Sequence, residues 1–585
     1  MKSRFIFKAA LLLIPFSSLR AEGNPRQPNV IVILTDDQGY ADMSGHGNPW
    51  LDTPNLDRLQ REGVSLEDYH VDPVCTPSRA ALMTGRYCIR AGAWAVTEGR
   101  QLLNPDEKTM GDVFSASGYR TGMFGKWHLG DSFPFAPRYR GFDTVVRHMA
   151  GGADEIGNPE GNDYFDDTYF RNGVAEQFEG YCTNVWFDET LKFINQPEAK
   201  KPFFIYLPLN AMHSPHFVEE KYSKKFTELG MPEKRATFYG MIENFDENLG
   251  RLLSSLEETG LDKNTIVIFM GDNGTAEGSD GGVNSEDGFN AGMRGKKGSV
   301  YEGGHRVACF AKWPDHFPEG KKITELTSHR DWLPTLIDLC GLEAPQDVHF
   351  DGKSIAPLLT GKAEEWPDRM FFLDRQNDDL RKPTLTQTGA KGPQFAVLTE
   401  RWRYVNGELY DIVQDPGQTK DLADQFPDIA EKLFAAYGKW FDDVSAHDDR
   451  FTRLQLGADP SGSTEFTIRD WHPTEGNVIW RPSQLDDDKL FINGFWAIDV
   501  KTAGRYEIKL SRFPEDNMKP IEASDARIRI GEQEARQALS PEAGSVSFEL
   551  DLKRGPALLE TWFTDGKTGK TRGAYHVSCR LLEAD

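Results

Sequence analysis

The amino-acid sequence predicts an α/β fold: a mixed, mainly parallel sheet sandwiched by helices, with a smaller C-terminal α+β subdomain and an appended all-β sandwich domain. Three observations lead there. Short β-branched runs, apolar on both faces, alternate with amphipathic helical patterns over most of the chain. From about Glu408 this alternation gives way to a strand, a turn and a helix of amphipathic spacing. Beyond the Gly-, Ser- and Pro-containing stretch Gly457–Ser463, strands succeed one another at short spacing. The expected parts are a signal peptide over 1–21, an α/β catalytic domain over 22–370, its C-terminal subdomain over 371–457, and a β-sandwich over 458–585.

In chain order, the first segment is MKSRFIFKAALLLIPFSSLRAEG. Lys2, Arg4 and Lys8 give a basic start, a short apolar run comes next, and Ala21 fits the last position before cleavage. The run is too short to span a bilayer, no cysteine directly follows it, and no later apolar run reaches spanning length. The expectation is a secreted or periplasmic protein without a membrane anchor. NVIVILT (Asn29–Thr35), YRTGMFG (Tyr119–Gly125), PFFIYLPL (Pro202–Leu209) and NTIVIFMG (Asn264–Gly271) read as central parallel strands. TPNLDRLQREG, MGDVFSASG and RATFYGMIENFDENLGRLLSSLEETG read as the helices between them. HRDWLPTLIDLCG is a further helix, stopped by Gly341. ELYDIVQDPGQTKDLAD reads as a strand, a turn and a helix start, and PDIAEKLFAAYGKWFDDV as a helix. FWAIDV, RYEIKLS, ARIRIG, SVSFELDL, ALLETWFTD and AYHVSCRLL are the sandwich strands.

The chain has 585 residues and a formal net charge of −24, which argues against non-specific nucleic-acid binding. An anionic substrate would therefore need a locally basic site. Cys75, Cys88, Cys182, Cys309, Cys340 and Cys579 are too sparse for a disulfide scaffold and lack zinc-site spacing. Their pairing and the oligomeric state are not readable from the sequence.

The chemistry lies in the residues just beyond each strand. NVIVILT runs into Asp36 and Asp37, TGMFG into Lys126, Trp127 and His128, FFIYLPL into His213 and His216, and TIVIFMG into Asp272 and Asn273. In open α/β sheets ligands bind at the carboxyl ends of the strands. Asp36, Asp37, Asp272 and Asn273 are hard oxygen donors suited to Ca²⁺ or Mg²⁺, although such residues also cap helices. Lys126, His128, His213, Lys297 and Arg79 suit an anion with charge developing on oxygen. In CTPSRAALMTG, Pro77 favours a helix start, which places Cys75 at a helix N-terminus with Arg79 one turn on. A thiol there is expected to have a lowered pKa. Yet a thiolate beside a hard cation is a chemical mismatch, and the cysteine–arginine gap is too short for a thiol phosphatase.

These residues resemble the type I, formylglycine-dependent sulfatase family of the alkaline-phosphatase-like superfold. CTPSR matches its C-x-P-S-R signature, and TGRY, TPNLDRL, GKWHLG, GFD, GDNG and GKKGSVYEGGHRV match further motifs of that family. The resemblance runs from about Asn29 to Val444. Ala308 departs from it, standing where relatives often carry proline. The resemblance implies that Cys75 is oxidised to formylglycine by a formylglycine-generating enzyme. It implies one Ca²⁺ per chain, held by Asp36, Asp37, Asp272, Asn273 and the modified Cys75. Arg79 would stabilise the aldehyde hydrate, Lys126 and Lys297 would grip sulfate, His128 would aid hydrate breakdown, and His213 would serve the leaving oxygen. Lys297 is preferred to Lys296 because it directly precedes GSVYEGG.

The expected function is hydrolysis of sulfate monoesters on a sulfated carbohydrate, with a phosphatase or phosphonate monoester hydrolase, or a non-enzymatic glycan-binding protein, as alternatives. Arg138, Arg140, Arg147, His148, His305 and Arg375 are candidate substrate contacts. Trp471, Trp480, Trp496 and Trp562 are candidate sugar platforms, although strand tryptophans usually belong to a core.

Overall fold

A computed structural model describes residues 27–196, 201–283, 288–363, 365–375, 394–446 and 451–584. The expected signal peptide lies outside the described residues. One ten-stranded sheet dominates. Across it the strands run Lys321–Ile323, Val64–Leu66, Cys309–Lys312, Thr265–Gly271, Asn29–Thr35, Phe203–Pro208, Arg120–Lys126, Thr144–His148, Thr168–Arg171 and Val174–Gln177. From Thr265–Gly271 to Thr144–His148 all neighbours are parallel, and antiparallel pairs flank that block on both sides.

Asn29–Thr35 lies in the middle because both of its faces are apolar. Val30, Val32 and Leu34 enter one hydrophobic core, and Ile31 and Ile33 enter the other. The first core packs under the helices Cys75–Thr84, Met110–Ala116, Trp332–Cys340 and Pro427–Val444; the second packs under Pro54–Glu62, Cys182–Ile194 and Glu233–Thr259. A four-stranded antiparallel sheet comes next, built from Phe371–Arg375, Gln394–Leu398, Trp402–Val405 and Glu408–Asp411. No helix starts within KDLAD, but PDIAEKLFAAYGKWFDDV forms the expected helix, Pro427–Val444, opened by Pro427, which supplies the helical φ without losing a hydrogen bond. Among the described residues no helix is long and apolar enough to cross a membrane. All six cysteines are buried and unpaired.

The C-terminal part is all-β, a seven-stranded and a four-stranded sheet closed over one core. The strand Leu454–Leu456 already pairs with Asn493–Val500, so these sheets reach back across the expected boundary at 458. Leu102, Phe135 and Ile156 of the α/β part belong to the same core. Trp471 and Trp496 are 1% and 0% exposed, so neither is a sugar platform; their rings pack edge to face at 5.3 Å. Trp562 is half-buried beneath the Arg527 guanidinium at 3.8 Å, and Trp480 is 39% exposed.

Gly125 precedes Lys126 at the end of its strand with φ +125°, and a Cβ there would stand 2.0 Å from Pro208 O on the neighbouring strand. Gly125→Ala is expected to cost about 3 kcal/mol or more, through both the clash and the backbone conformation. Chemical denaturation of the purified variant measures this; a change within about 0.5 kcal/mol contradicts it.

Candidate active site

The strand register brings the chemistry to one edge. Thr35 pairs with Gly271, Leu34 with Pro208 and Lys126 with His148, so the parallel strands end level. The chain leaves the sheet under backbone control. Asp36 N donates to Ala211 O at 2.8 Å, and Asp272 N donates to Thr35 O at 2.9 Å. Asp37 takes a left-handed φ of 63°, which Asp tolerates better than most residues, and its N–H donates to Asp272 Oδ1 at 3.1 Å.

Asp36, Asp37 and Asp272 each bring a carboxylate oxygen to within 4.8 Å of the others. Asn273 joins them, its Nδ2 donating to Asp37 Oδ1 at 3.0 Å. Asp36 Oδ1 and Asn273 Oδ1 have no partner, although both side chains are 0% exposed. Three cations interleave with the acids. Arg79 donates through Nε and Nη2 to Asp272 Oδ2 at 3.1 and 2.8 Å, and through Nη1 to Lys126 O at 2.7 Å. The Lys126 ammonium contacts Asp36 Oδ2. Lys297 Nζ lies 2.7 and 2.8 Å from the two oxygens of Asp37. Lys296 instead donates to Ala276 O at 3.2 Å.

This arrangement sets the electrostatics. Burial works against the Asp36 charge, yet the Lys126 ammonium leads the cations that hold it well below the usual carboxylate range. Asp272 goes the other way: burial and then the Asp36 charge push it up to about 7, against Arg79. Burial is the largest single influence on Lys126, Arg79 and Lys297 and opposes their charges, but the anions around each, led by Asp36, Asp272 and Asp37 respectively, together outweigh it, and all three rise.

Cys75 opens the helix Cys75–Thr84, with Val74 extended before it, so its side chain sits at the helix N-terminus. Its Sγ lies 3.4 Å from His128 Nδ1. The expected lowering of its pKa does not hold: burial raises it, and this outweighs Lys126. His128 Nε2 lies 2.9 Å from Val96 O, which can only accept, so Nε2 carries the proton and Nδ1 of the neutral ring is an acceptor toward residue 75. Burial, then Lys126, Arg469 and Arg79, hold His128 well below its ordinary value. His213 is half-buried; its Nδ1 donates to Ser214 O at 2.7 Å by the same logic, leaving Nε2 for other partners. Burial, then Lys297 and Lys126, lower its pKa.

Several candidate substrate contacts have other work. Arg140 is buried and donates to the carbonyls of Leu103, Asn104, Pro105 and Glu107. Arg147 pairs with Asp131, and His305 Nδ1 faces His70 Nδ1 at 2.9 Å in a buried cluster with Glu302. Arg375 contacts Gly298 O, beside Lys297, and so supports the loop that carries this lysine. Arg138 is exposed and donates to Asn172 O at 3.2 Å, and His148 is buried, its Nδ1 bonded to Met149 O at 2.7 Å. Sequence reasoning missed Val96 O, whose role is played by the backbone, and Tyr206, buried beside Arg79 in the middle of an apolar strand.

The chemistry such an edge suits is narrow. Interleaved acids and cations can hold an anion and a hard metal, and a histidine with an acceptor nitrogen facing a side chain at a helix N-terminus can take up a proton, which together suit the hydrolysis of anionic esters. The sulfatase family model matches residues 28–342, and the model for the C-terminal part of N-sulphoglucosamine sulphohydrolase matches 294–436. The chain is 32% identical to N-acetylgalactosamine-6-sulfatase of Canis lupus familiaris over 67% of its own length and 76% of that protein. It is 30% identical to arylsulfatase A of Homo sapiens over 70% of its own length and 86% of that protein. Among solved structures, Ps i-CgsB matches at a TM-score of 0.63 and 27% identity, covering 72% of this chain and 94% of that one; it is also solved with k-i-k-neocarrahexaose. Phosphonate monoester hydrolase of Agrobacterium radiobacter, at 21% identity and a TM-score of 0.53, covering 72% of this chain and 95% of that one, shares the fold alone. The chain belongs to the sulfatase family and is a sulfuric ester hydrolase.

Replacing Arg79 with Met removes the guanidinium from Asp272 and from Asp36, whose Oδ2 lies 3.5 Å from Nη2. Arg79→Met is expected to destabilise the fold by about 3–5 kcal/mol at pH 8. The loss should shrink at pH 5, because Asp272, at about 7 even beside Arg79, is protonated there with or without the guanidinium and so loses no charge partner. Urea unfolding of cation-free protein at both pH values tests this; an equal loss at both contradicts it.

Proposed function

We propose that the chain is an exported sulfatase acting on a sulfated carbohydrate, with one Ca²⁺ and a formylglycine made from Cys75 by a formylglycine-generating enzyme. The observation that carries the reading is the pair of orphaned oxygens, Asp36 Oδ1 and Asn273 Oδ1, within a cluster of oxygen donors. A buried polar atom left without a partner costs about 1–3 kcal/mol. Asp36, Asp37, Asp272 and Asn273 would hold a hard divalent ion, with the oxygen of the modified residue 75 as a further ligand. Bound there, the ion would supply Lewis acidity toward oxygen. The aldehyde hydrate would supply an oxygen nucleophile at a position where the buried thiol is soft and, at its raised pKa, protonated.

The residues of the chain divide the remaining tasks. Lys126 and Lys297, each anchored by a carboxylate, bind the sulfate oxygens. Arg79 is fixed by Asp272 and Lys126 O and sets the positive field around residue 75. His128 accepts a proton at Nδ1 from residue 75. Burial lowers His213 most and the field of Lys297 and Lys126 next; an anionic ester between these lysines offsets the second part, which favours the proton on Nε2 that the leaving oxygen needs. Export rests on the N-terminal segment 1–21. The carbohydrate class rests on relatives named for a sugar sulfate and on the neighbour solved with a neocarrahexaose. No specific feature of the site favours a phosphate or phosphonate ester.

Mass spectrometry of the peptide bearing residue 75, paired with sulfate release from a panel of sulfated sugars and matched aryl sulfate and phosphate esters, tests the reading. Oxidised residue 75 is expected in active enzyme, with at least about a 10³-fold loss of turnover in Cys75→Ala. Fully active enzyme with an intact thiol, or faster turnover of the phosphate ester, overturns it. Chelation from a solution holding the cation at about 100 times its Kd should lower stability by about 2.7 kcal/mol, restored by Ca²⁺. Unchanged melting after chelation contradicts the metal assignment.

A further inference from the structure

The all-β part reaches into the active site through one side chain. Arg469 lies in the turn Ile468–Asp470 and is buried. Its Nη1 stands 2.7 Å from Glu155 Oε2, and its Nη2 donates to Val96 O at 3.4 Å. Val96 O is the carbonyl that accepts the His128 Nε2 proton. Glu155 Oε2 also accepts the Gly151 N–H at 2.9 Å, and Gly151 lies so close to the imidazole that a Cβ there would stand 2.5 Å from His128 Cε1. One guanidinium therefore joins the two loops that bound the ring on its Nε2 and Cε1 sides. The Arg469 carbonyl holds the first loop as well, accepting from Glu98 N at 3.0 Å, Gly99 N at 3.3 Å and Gln101 Nε2 at 3.2 Å.

We propose that Arg469 is a positioning residue for sulfate ester hydrolysis, fixing the ring of His128 and the tautomer with its proton on Nε2. The all-β part is then a component of the active site. The proposal rests on the role given above to His128. Without the Val96 carbonyl in place, the ring is free to carry its proton on Nδ1, facing residue 75, where the reaction needs an acceptor. Without the guanidinium, Glu155 is left buried and unpaired beside the second loop. Lysine is no substitute, because the guanidinium spreads its charge over two nitrogens, one beside Glu155 and one beside Val96 O, and a single ammonium does not.

The test uses the full-length matured enzyme and a small aryl sulfate. Arg469→Ala and Arg469→Lys are expected to lower kcat by about 10–100-fold with KM within about twofold, the size of effect seen for partners that orient a reacting group. In a His128→Ala background, Arg469→Ala should cost less than about twofold more, because the two residues act as one unit. Amide hydrogen exchange measured by mass spectrometry should rise in the peptides covering 93–101 and 150–158 in the variants, a readout independent of turnover. Glu155→Gln, which keeps the packing and most of the hydrogen bonding, should show a smaller loss of the same kind and serves if Arg469→Ala does not fold. A kcat within twofold of wild type for Arg469→Lys and Glu155→Gln overturns the proposal, as does a full multiplicative loss in the His128→Ala background. An unimpaired His128→Ala would instead overturn the role given to His128, and the two failures are thereby distinguished.

Discussion

Three buried carboxylates and three cations compensate one another at the end of the parallel strands, and the rest of the structure depends on that balance. Asp36, Asp272 and Lys126 end three different strands, while Arg79 arrives from a helix and Lys297 from a loop. Removing one partner of a buried pair costs about 3–5 kcal/mol, so each contact demands that the others be correctly placed. Asp36 and Lys126 leave strands that are not neighbours, since Phe203–Pro208 runs between them. Their contact therefore ties the sheet across its width, and Gly125 lets the Lys126 strand approach Pro208 closely enough to make it.

The same balance explains how a chain with a net charge of −24 can take an anionic ester. Three acids against three cations leave the site near neutral. A divalent cation on the orphaned oxygens, as proposed above, would make it positive within the few ångströms where a sulfate group would bind, while the overall field stays negative. A short-range positive site in a negative surround discriminates by depth: an anion gains attraction only once it is seated among the donors.

The central strands were legible because burial on both faces leaves an unbroken apolar run, and the polar residues just after such runs stood out for the same reason. Edge strands were not. Val174–Gln177 is fully exposed, and Gln533–Ala538 is mostly so, and neither has an apolar face to read. The chemistry of Cys75 was half legible. Its place at a helix N-terminus is signalled by Pro77, but the sign of its pKa shift depends on burial by elements distant in sequence, and burial outweighs Lys126. Trp471 and Trp496 misled for a related reason, because one strand pattern serves a sugar platform and a sandwich core alike. Val96, Glu155 and Arg469 left no signal: one acts through its backbone, and the others meet only where a loop of the α/β part packs against a turn of the all-β part.

The union of those sheets is more than adjacency. Leu102 and Ile156, which flank the two loops beside His128, have their side chains in the core of the all-β part, and Ile156 N donates to Trp480 O at 2.8 Å. The loops thus fold over the imidazole from one side and into the sandwich from the other. A histidine whose surroundings suppress its imidazolium form works as a base only if its single proton stays on the nitrogen away from the reacting group. Keeping it there is a task for a rigid carbonyl. The Val96 carbonyl is held in place because its loop is anchored on both sides, by Ala93 in the α/β core and, on the side of the all-β part, by Leu102 and Arg469.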